Sequence, residues 1–81
     1  MMALEPIIAS TARKHGVSDQ DMLYAYAYAY ANPIRFYGVD EDLAMFIGPD
    51  RSARMLEVGV VDGDLAPVVV HAMKVRAKFL R

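Results

Sequence analysis

The stretch YAYAYAYA, residues 24–31, alternates two residue types with a period of two. Taken alone, that period is typical of a β-strand with every tyrosine on one face. The flanking residues indicate a helix instead. Ser18 is a good N-cap with Asp21 three residues later, and Asn32-Pro33 ends the helix because the residue before a proline is pushed out of the helical region. We therefore expect a helix over residues 18–31.

On a helix, the four tyrosines of this run divide between two sides. The stripe that we expect to be core consists of Met22, Leu23, Tyr26 and Tyr30. Tyr24 and Tyr28 point to nearly the opposite side, where they are either solvated or in contact with another chain. Tyrosine is common at such contacts because its ring is apolar and its hydroxyl stays hydrated. Tyr24 and Tyr28 are therefore candidate interface residues.

A shorter helix is expected before this one, over about residues 5–15. Pro6 suits a first helical turn, apolar residues recur at helical spacing, and Gly16 supplies the left-handed residue just past the end. After Pro33 the pattern changes to β-branched or aromatic runs that are separated by short turn sequences. The predicted strands cover residues 34–39, 43–48, 54–61 and 67–75.

These elements predict the α+β class in a single domain over residues 1–81. We expect two N-terminal helices packed on one face of a four-stranded, antiparallel, up-and-down sheet, because connections this short imply hairpins. Hydrophobic residues make up 56% of the 81 residues. A core this small cannot hide that many apolar side chains, so some are expected at an interface with a partner or in a homo-oligomer.

Composition limits the function classes. The chain has no cysteine, which excludes disulfides and thiolate metal sites. It has no glycine-rich phosphate loop and no spacing of histidines and carboxylates typical of a metal site, so we expect no cofactor and no metal. No apolar run approaches the roughly 20 residues needed to span a bilayer, and the first residues lack the features of a signal peptide. We expect a cytoplasmic protein that does not enter the membrane.

Three stretches carry a resemblance to a known family. They are ARKHGVSDQDMLYAYAYAYANPIRFY (residues 12–37), IGPDRSARMLEVGVV (47–61) and VVVHAMKVR (68–76). Together they resemble the BrnT-type toxins of bacterial toxin-antitoxin modules, members of the RelE superfamily, which share a helix ending in Lys-His-Gly-Val, a second helix, a proline stop and then a sheet. The family usually opens with a strand before its first helix, and this sequence predicts no such strand.

The resemblance implies a function. RelE-type toxins are metal-independent endoribonucleases that cut mRNA, and a cognate antitoxin protein neutralises them. Such cleavage needs a base, cations that hold the phosphate, and an acid. The candidate catalytic residues are Lys14 and His15, which match the family motif, and Arg76. The alternative for Lys14 and His15 is that they cap a helix end, where basic residues are common.

Other cations are candidates for binding RNA. Arg51 and Arg54 flank a hairpin turn, where arginine either binds phosphate or is simply solvated. An extended C-terminal segment would place three cations in one row that suits a phosphate backbone, or that protects an edge strand from aggregation. That row consists of Lys74, Arg76 and Lys78. His71 should share a face with Val69, Met73 and Val75, which favours a satisfied core or edge histidine over a general base.

Two functions therefore remain open at the level of the sequence. The first is a toxin-like endoribonuclease with an antitoxin partner. The second is a non-catalytic interaction module of the same fold that self-associates through helix 18–31. DNA binding by a helix-turn-helix is disfavoured, because the second helix offers no arginine or lysine for guanine edges or phosphates.

Overall fold

A five-stranded sheet with one α-helix on its face forms the framework of the protein. The computed structural model describes residues 5–31, 35–40 and 43–79, and for residues 35–40 it gives the course of the backbone. The elements in chain order are strand β1 (Ile7–Ile8), a 3-10 helix (Ser10–His15), helix α1 (Asp19–Ala31), strands β2 (Arg35–Asp40), β3 (Leu43–Pro49), β4 (Met55–Val61) and β5 (Val68–Lys74), and a second 3-10 helix (Ala77–Phe79).

The sheet has the order β1-β5-β4-β3-β2. Neighbours among β2, β3, β4 and β5 are antiparallel, whereas β1 pairs in parallel with β5. The α+β class is as predicted, but the sheet is mixed and not wholly antiparallel. Strands β3, β4 and β5 begin and end within one residue of the predicted runs. The predicted stop at Asn32-Pro33 and the predicted strand start at residue 34 lie outside the described residues.

The helix expected over residues 5–15 is wrong. Ile7 and Ile8 instead pair with Val68 and Val69. The Ile7 N–H donates to the Pro67 carbonyl and the Ala9 N–H to the Val69 carbonyl, both at 2.9 Å, so this segment completes hydrogen bonds along the outer edge of β5. An isolated helix of this length is marginal in water, and pairing with an available strand edge overrides the helical pattern. A strand therefore precedes the first helical segment, although the sequence predicted none there.

The start of α1 is as predicted from local signals. The Asp21 N–H donates to Ser18 Oγ at 3.1 Å, and the Ser18 hydroxyl donates to the Asp21 carboxylate at 3.1 Å. Gly16 has a left-handed φ of 78° and ends the first 3-10 helix, whose last turn carries three basic residues. The two helical segments are thus joined by the glycine and the cap that the sequence indicates.

Small side chains fill much of the core face of α1. Met22, Ala25 and Ala29 are fully buried, which confirms the prediction for Met22. Leu23 and Tyr26 are partly buried, and Tyr26 packs against this core. The prediction was wrong for Tyr30, which is 63% exposed. A Cβ added to Gly48 of β3 would lie 2.4 Å from the Ala25 carbonyl oxygen. The helix backbone therefore approaches β3 closely at Ala25, where a larger side chain cannot fit between the helix and the sheet.

The two faces of the sheet are covered differently. On one face α1 packs over Phe46, Leu56, Val58 and Val60. On the other face Met45 and Ile47 pack against Phe79 of the C-terminal 3-10 helix. Among the described residues, no helix has the length and apolar character needed to cross a membrane.

We expect Gly48→Ala to lower the free energy of unfolding by about 1–3 kcal/mol, because the added methyl group would collide with helix backbone that cannot move without repacking. Urea unfolding measures the change. Gly16→Asn is the matched control, since nothing lies within 4 Å of a Cβ at Gly16 and asparagine tolerates its left-handed backbone. An equal loss in both variants would contradict the close approach of α1 to β3.

Candidate functional site

A buried carboxylate organises the face of the sheet away from α1. Glu57 is in the middle of β4, and its exposed fraction is 0%. Its neighbours Leu56 and Val58 belong to the core under α1, so alternation along the strand directs Glu57 to the other face. A buried carboxylate requires partners, because an isolated charge in the interior is very costly.

Arg76 supplies most of these partners. The chain turns after β5, and the Arg76 backbone N–H donates to Glu57 Oε1 at 2.9 Å. The guanidinium donates through Nε to Oε1 at 3.0 Å and through Nη2 to Oε2 at 2.7 Å. This bidentate contact uses one edge of the guanidinium and leaves the N–H groups of its outer edge for another acceptor. The Arg76 side chain is 43% exposed, and its guanidinium carbon lies 5.4 Å from the centroid of the Phe79 ring.

His71 completes the carboxylate's contacts. Its Nε2 lies 2.8 Å from Glu57 Oε2, and its side chain is 25% exposed. Gly59 is opposite His71 in the β4–β5 pair, and a Cβ there would lie 3.1 Å from the His71 Cβ. The glycine therefore gives the imidazole room beside the sheet.

The protonation of Glu57 determines which nitrogen of His71 carries the proton. Burial by itself raises the pKa of Glu57, but hydrogen bonds from Arg76 and His71 outweigh it, and the pKa lies below its ordinary value. An ionised carboxylate only accepts hydrogen bonds, so His71 Nε2 must donate. In the neutral ring, Nδ1 is then the acceptor nitrogen, which is the arrangement of a general base oriented by a carboxylate.

A second histidine lies beside the first. The rings of His15 and His71 meet edge to face, with centroids 5.7 Å apart. His15 ends the first 3-10 helix, which packs along β5 through a hydrogen bond from the Thr11 hydroxyl to the Val70 carbonyl at 3.0 Å. Lys14 is exposed next to it in the sequence. Of the predicted catalytic residues, His15 and Arg76 thus join one cluster, which we define as His15, Glu57, His71 and Arg76.

The arginines of the β3–β4 turn are engaged within the chain. Arg51 Nε donates to Asp21 Oδ1 at 2.9 Å, and its Nη1 donates to Gln20. Arg54 pairs with the buried Asp50 at 3.4 Å. These two arginines, which were predicted to bind phosphate, instead make contacts within the chain. Arg54 contacts the turn itself, and Arg51 joins the turn to the start of α1.

The expected row of C-terminal cations does not form. Strand β5 ends at Lys74, and Lys78 belongs to a 3-10 helix, where its ammonium lies 5.1 Å from the centroid of the Phe79 ring. Lys74 and Lys78 would lie in one row with Arg76 only if the chain stayed extended beyond β5. A bulge also separates His71 from Val69, which belongs to the core under α1 and does not share the histidine's face.

The predicted interface tyrosines are on the surface of α1. Tyr24 is 48% exposed and Tyr28 is 49% exposed. Within the residues that the structure describes, no group of three or more histidines, cysteines and acids has a geometry that could hold a metal ion.

Sequence reasoning missed Glu57 and its contacts with His71 and Arg76. One signal was present, because a single acid inside the apolar run RMLEVGVV predicts a buried carboxylate that needs cationic partners. Its partners depend on the β4–β5 register and on the bulge within it, which the sequence does not reveal.

Comparison with models of protein families, with curated proteins and with solved structures finds no match to this chain.

We expect Glu57→Gln to lower the free energy of unfolding at pH 7 by about 1–3 kcal/mol, because a neutral amide offers one acceptor oxygen, where the carboxylate offers two, to the donors of His71 and Arg76. The effect should depend on pH. The pKa of Glu57 is lowered in the fold, so its stabilisation is present above the unfolded-state value of about 4.3 and is lost as the pH falls through the folded-state value.

Urea unfolding at pH 7 and at about pH 3 measures both effects, and the loss on acidification should be smaller for Glu57→Gln than for the wild type. Asp64→Asn, in an exposed turn, is the control and should change stability by less than about 0.5 kcal/mol. Equal acid dependence in Glu57→Gln and the wild type would contradict an ionised Glu57.

Proposed function

We propose that this protein is a metal-independent endoribonuclease that acts on mRNA as the toxin-like component of a cytoplasmic toxin-antitoxin module, with a cognate antitoxin protein as its partner. The observation that carries the proposal is the carboxylate-oriented imidazole of His71, with the Arg76 guanidinium on the same carboxylate and His15 beside it. The resemblance to BrnT-type toxins supports the same reaction, and β1 supplies the opening strand that this family usually has.

The cluster suits attack of a ribose 2′-hydroxyl on the adjacent phosphate. His71 Nδ1 accepts the proton of the 2′-hydroxyl while the new oxygen–phosphorus bond forms. The outer N–H groups of Arg76 stabilise the charge that develops on the phosphate oxygens. Protonated His15 donates a proton to the departing 5′ oxygen, so the products are a 2′,3′-cyclic phosphate and a 5′-hydroxyl. Glu57 is a positioning residue, because its full burial keeps it from the substrate.

The proposal also assigns three lysines to RNA binding. Lys14, Lys74 and Lys78 are all exposed, and we assign them to the flanking phosphates of the RNA. Lysine suits this role because it acts as a mobile, hydrated point charge. Lys14 is adjacent to His15 in the sequence, so we expect that it also affects the rate of RNA cleavage.

Tightly controlled expression of the protein in bacteria tests the function. We expect growth arrest with fragmentation of mRNA, and new 5′ ends that carry a hydroxyl. His71→Gln, and Lys14→Ala combined with Arg76→Ala, should relieve the arrest, since they remove the base or the phosphate-binding charges.

The control is Arg13→Ala, which removes a guanidinium of similar exposure that pairs with Asp19 outside the cluster. It should leave the arrest intact. Thermal unfolding of each purified variant separates loss of activity from loss of fold. Normal growth with intact mRNA in the presence of the folded wild-type protein would refute the proposal.

The second candidate is a non-catalytic interaction module that forms homo-oligomers through helix 18–31. The half-exposed rings of Tyr24 and Tyr28 favour it, because exposed aromatic residues are enriched at interfaces. We expect Tyr24→Ser with Tyr28→Ser to reduce the mass measured by light scattering, if this candidate holds. An unchanged mass would exclude both residues from self-association.

A further inference from the structure

A groove of about 980 Å³ runs along α1, on the face of the sheet opposite the Glu57 cluster. One wall is the helix from Gln20 to Ala31, and the other is formed by Glu5, Pro6 and the β4–β5 turn at residues 62–67. Apolar side chains from both walls face this space: Leu23, Tyr26, Tyr30 and Leu65. Leu65 is 81% exposed and Tyr30 is 63% exposed, so both walls carry exposed apolar surface.

The acidic side chains of the protein separate into two groups. The first group, in which each acid pairs with an arginine, consists of Asp19, Asp21, Asp50 and Glu57. The remaining acids whose side chains the structure describes make no ion pair with another described residue, and all of them line the groove: Glu5, Asp62 and Asp64. Arg51 also lines it, but its guanidinium is held by Asp21 and Gln20.

The groove therefore combines apolar side chains on both walls with acids that form no ion pair among the described residues. Its helical wall covers residues 20–31, about three turns or roughly 18 Å at 1.5 Å per residue. An elongated apolar groove of this length fits one side of another helix, which presents apolar residues at positions i, i+3 or i+4, and i+7. The acids favour a helix that carries cationic side chains along its edges.

We propose that this groove binds an amphipathic helix of a partner protein, with an apolar face toward α1 and lysine or arginine along its flanks. The groove is a second site, independent of the RNA-cleaving cluster. A nucleic acid is disfavoured as the occupant, because its phosphates would meet Glu5, Asp62 and Asp64.

A second copy of this chain suits the groove poorly. Helix α1 has acids at Asp19 and Asp21 and contains no lysine or arginine, so a second α1 would bring negative charge to an acidic rim. Lys14, Lys74 and Lys78 lie in a six-residue 3-10 helix, at a strand end and in a three-residue 3-10 helix, where none can form the flank of a docked helix.

Synthetic peptides test the proposal with the full chain. The probe is an 18-residue amphipathic helix with a leucine and alanine face and lysine on its polar face, and its matched control has glutamate in place of lysine. We expect the lysine peptide to bind at least about tenfold more tightly by fluorescence anisotropy, with an affinity that falls as salt rises. Asp62→Asn with Asp64→Asn should reduce that preference.

The tyrosines of α1 provide a matched pair of variants. Tyr24 and Tyr28 are equally exposed on the same helix, but Tyr24 lines the groove and Tyr28 does not. Tyr24→Ser and Leu65→Ser should each weaken binding of the lysine peptide about tenfold, and Tyr28→Ser should leave it unchanged. Circular dichroism verifies that each variant is folded.

Four results would overturn the proposal. They are failure of the lysine peptide to bind, binding of the glutamate peptide with equal affinity, equal weakening by Tyr24→Ser and Tyr28→Ser, and a mass in solution that Leu65→Ser reduces. The last result would identify a second copy as the occupant. None of these readouts depends on ribonuclease activity, so the groove and the proposed function fail separately.

Discussion

The close approach of α1 to Gly48 is the constraint on which one half of the structure depends. The helix backbone lies where even a methyl group on Gly48 would collide with the Ala25 carbonyl. Side chains that face the sheet must therefore be small or flexible, and they are alanine and methionine. The tyrosines are displaced to the flanks and the outer surface, where Tyr26 meets Phe46 edge to face. The alternating repeat thus places its buried alanines against the sheet and its tyrosines along the sides and outer surface of α1.

Glu57 has the corresponding role on the other face of the sheet. A carboxylate buried in a central strand stays ionised only if donors surround it, and three groups do so: the Arg76 backbone, its guanidinium and the His71 ring. These contacts fix the path of the chain after β5, because Arg76 follows that strand and must lie next to Glu57 of β4. They also fix the imidazole in one tautomer. The same interaction that satisfies the buried charge therefore orients the groups that we assign to catalysis.

Local chemistry was sufficient to predict α1 and most of the sheet. The Ser18 cap and the turn residues between the strands act within a few positions, and the observed elements follow them closely. Strand β1 could not be predicted in this way, because Ile7 pairs with Val68, which is distant in the sequence. Tyr30 was wrongly assigned to the core, because hydrophobic periodicity favours tyrosine over alanine, whereas the close approach of α1 to Gly48 favours small side chains. The site was only partly predictable, because a bulge in β5 sets which groups face Glu57.

The distribution of charge explains why the net value of −1 indicates so little about function. Among the residues whose side chains the structure describes, the four arginines are paired with acids, whereas the three lysines make no ion pair. This division follows from the side chains, since a guanidinium forms a planar fork that matches a carboxylate, and an ammonium remains hydrated. These ion pairs involve four acids and four arginines, which therefore contribute little to the electrostatic potential at the surface. The other acids whose side chains are described lie along the groove beside α1, and the exposed lysines lie outside that groove. Unpaired charges of opposite sign are therefore separated on the described surface.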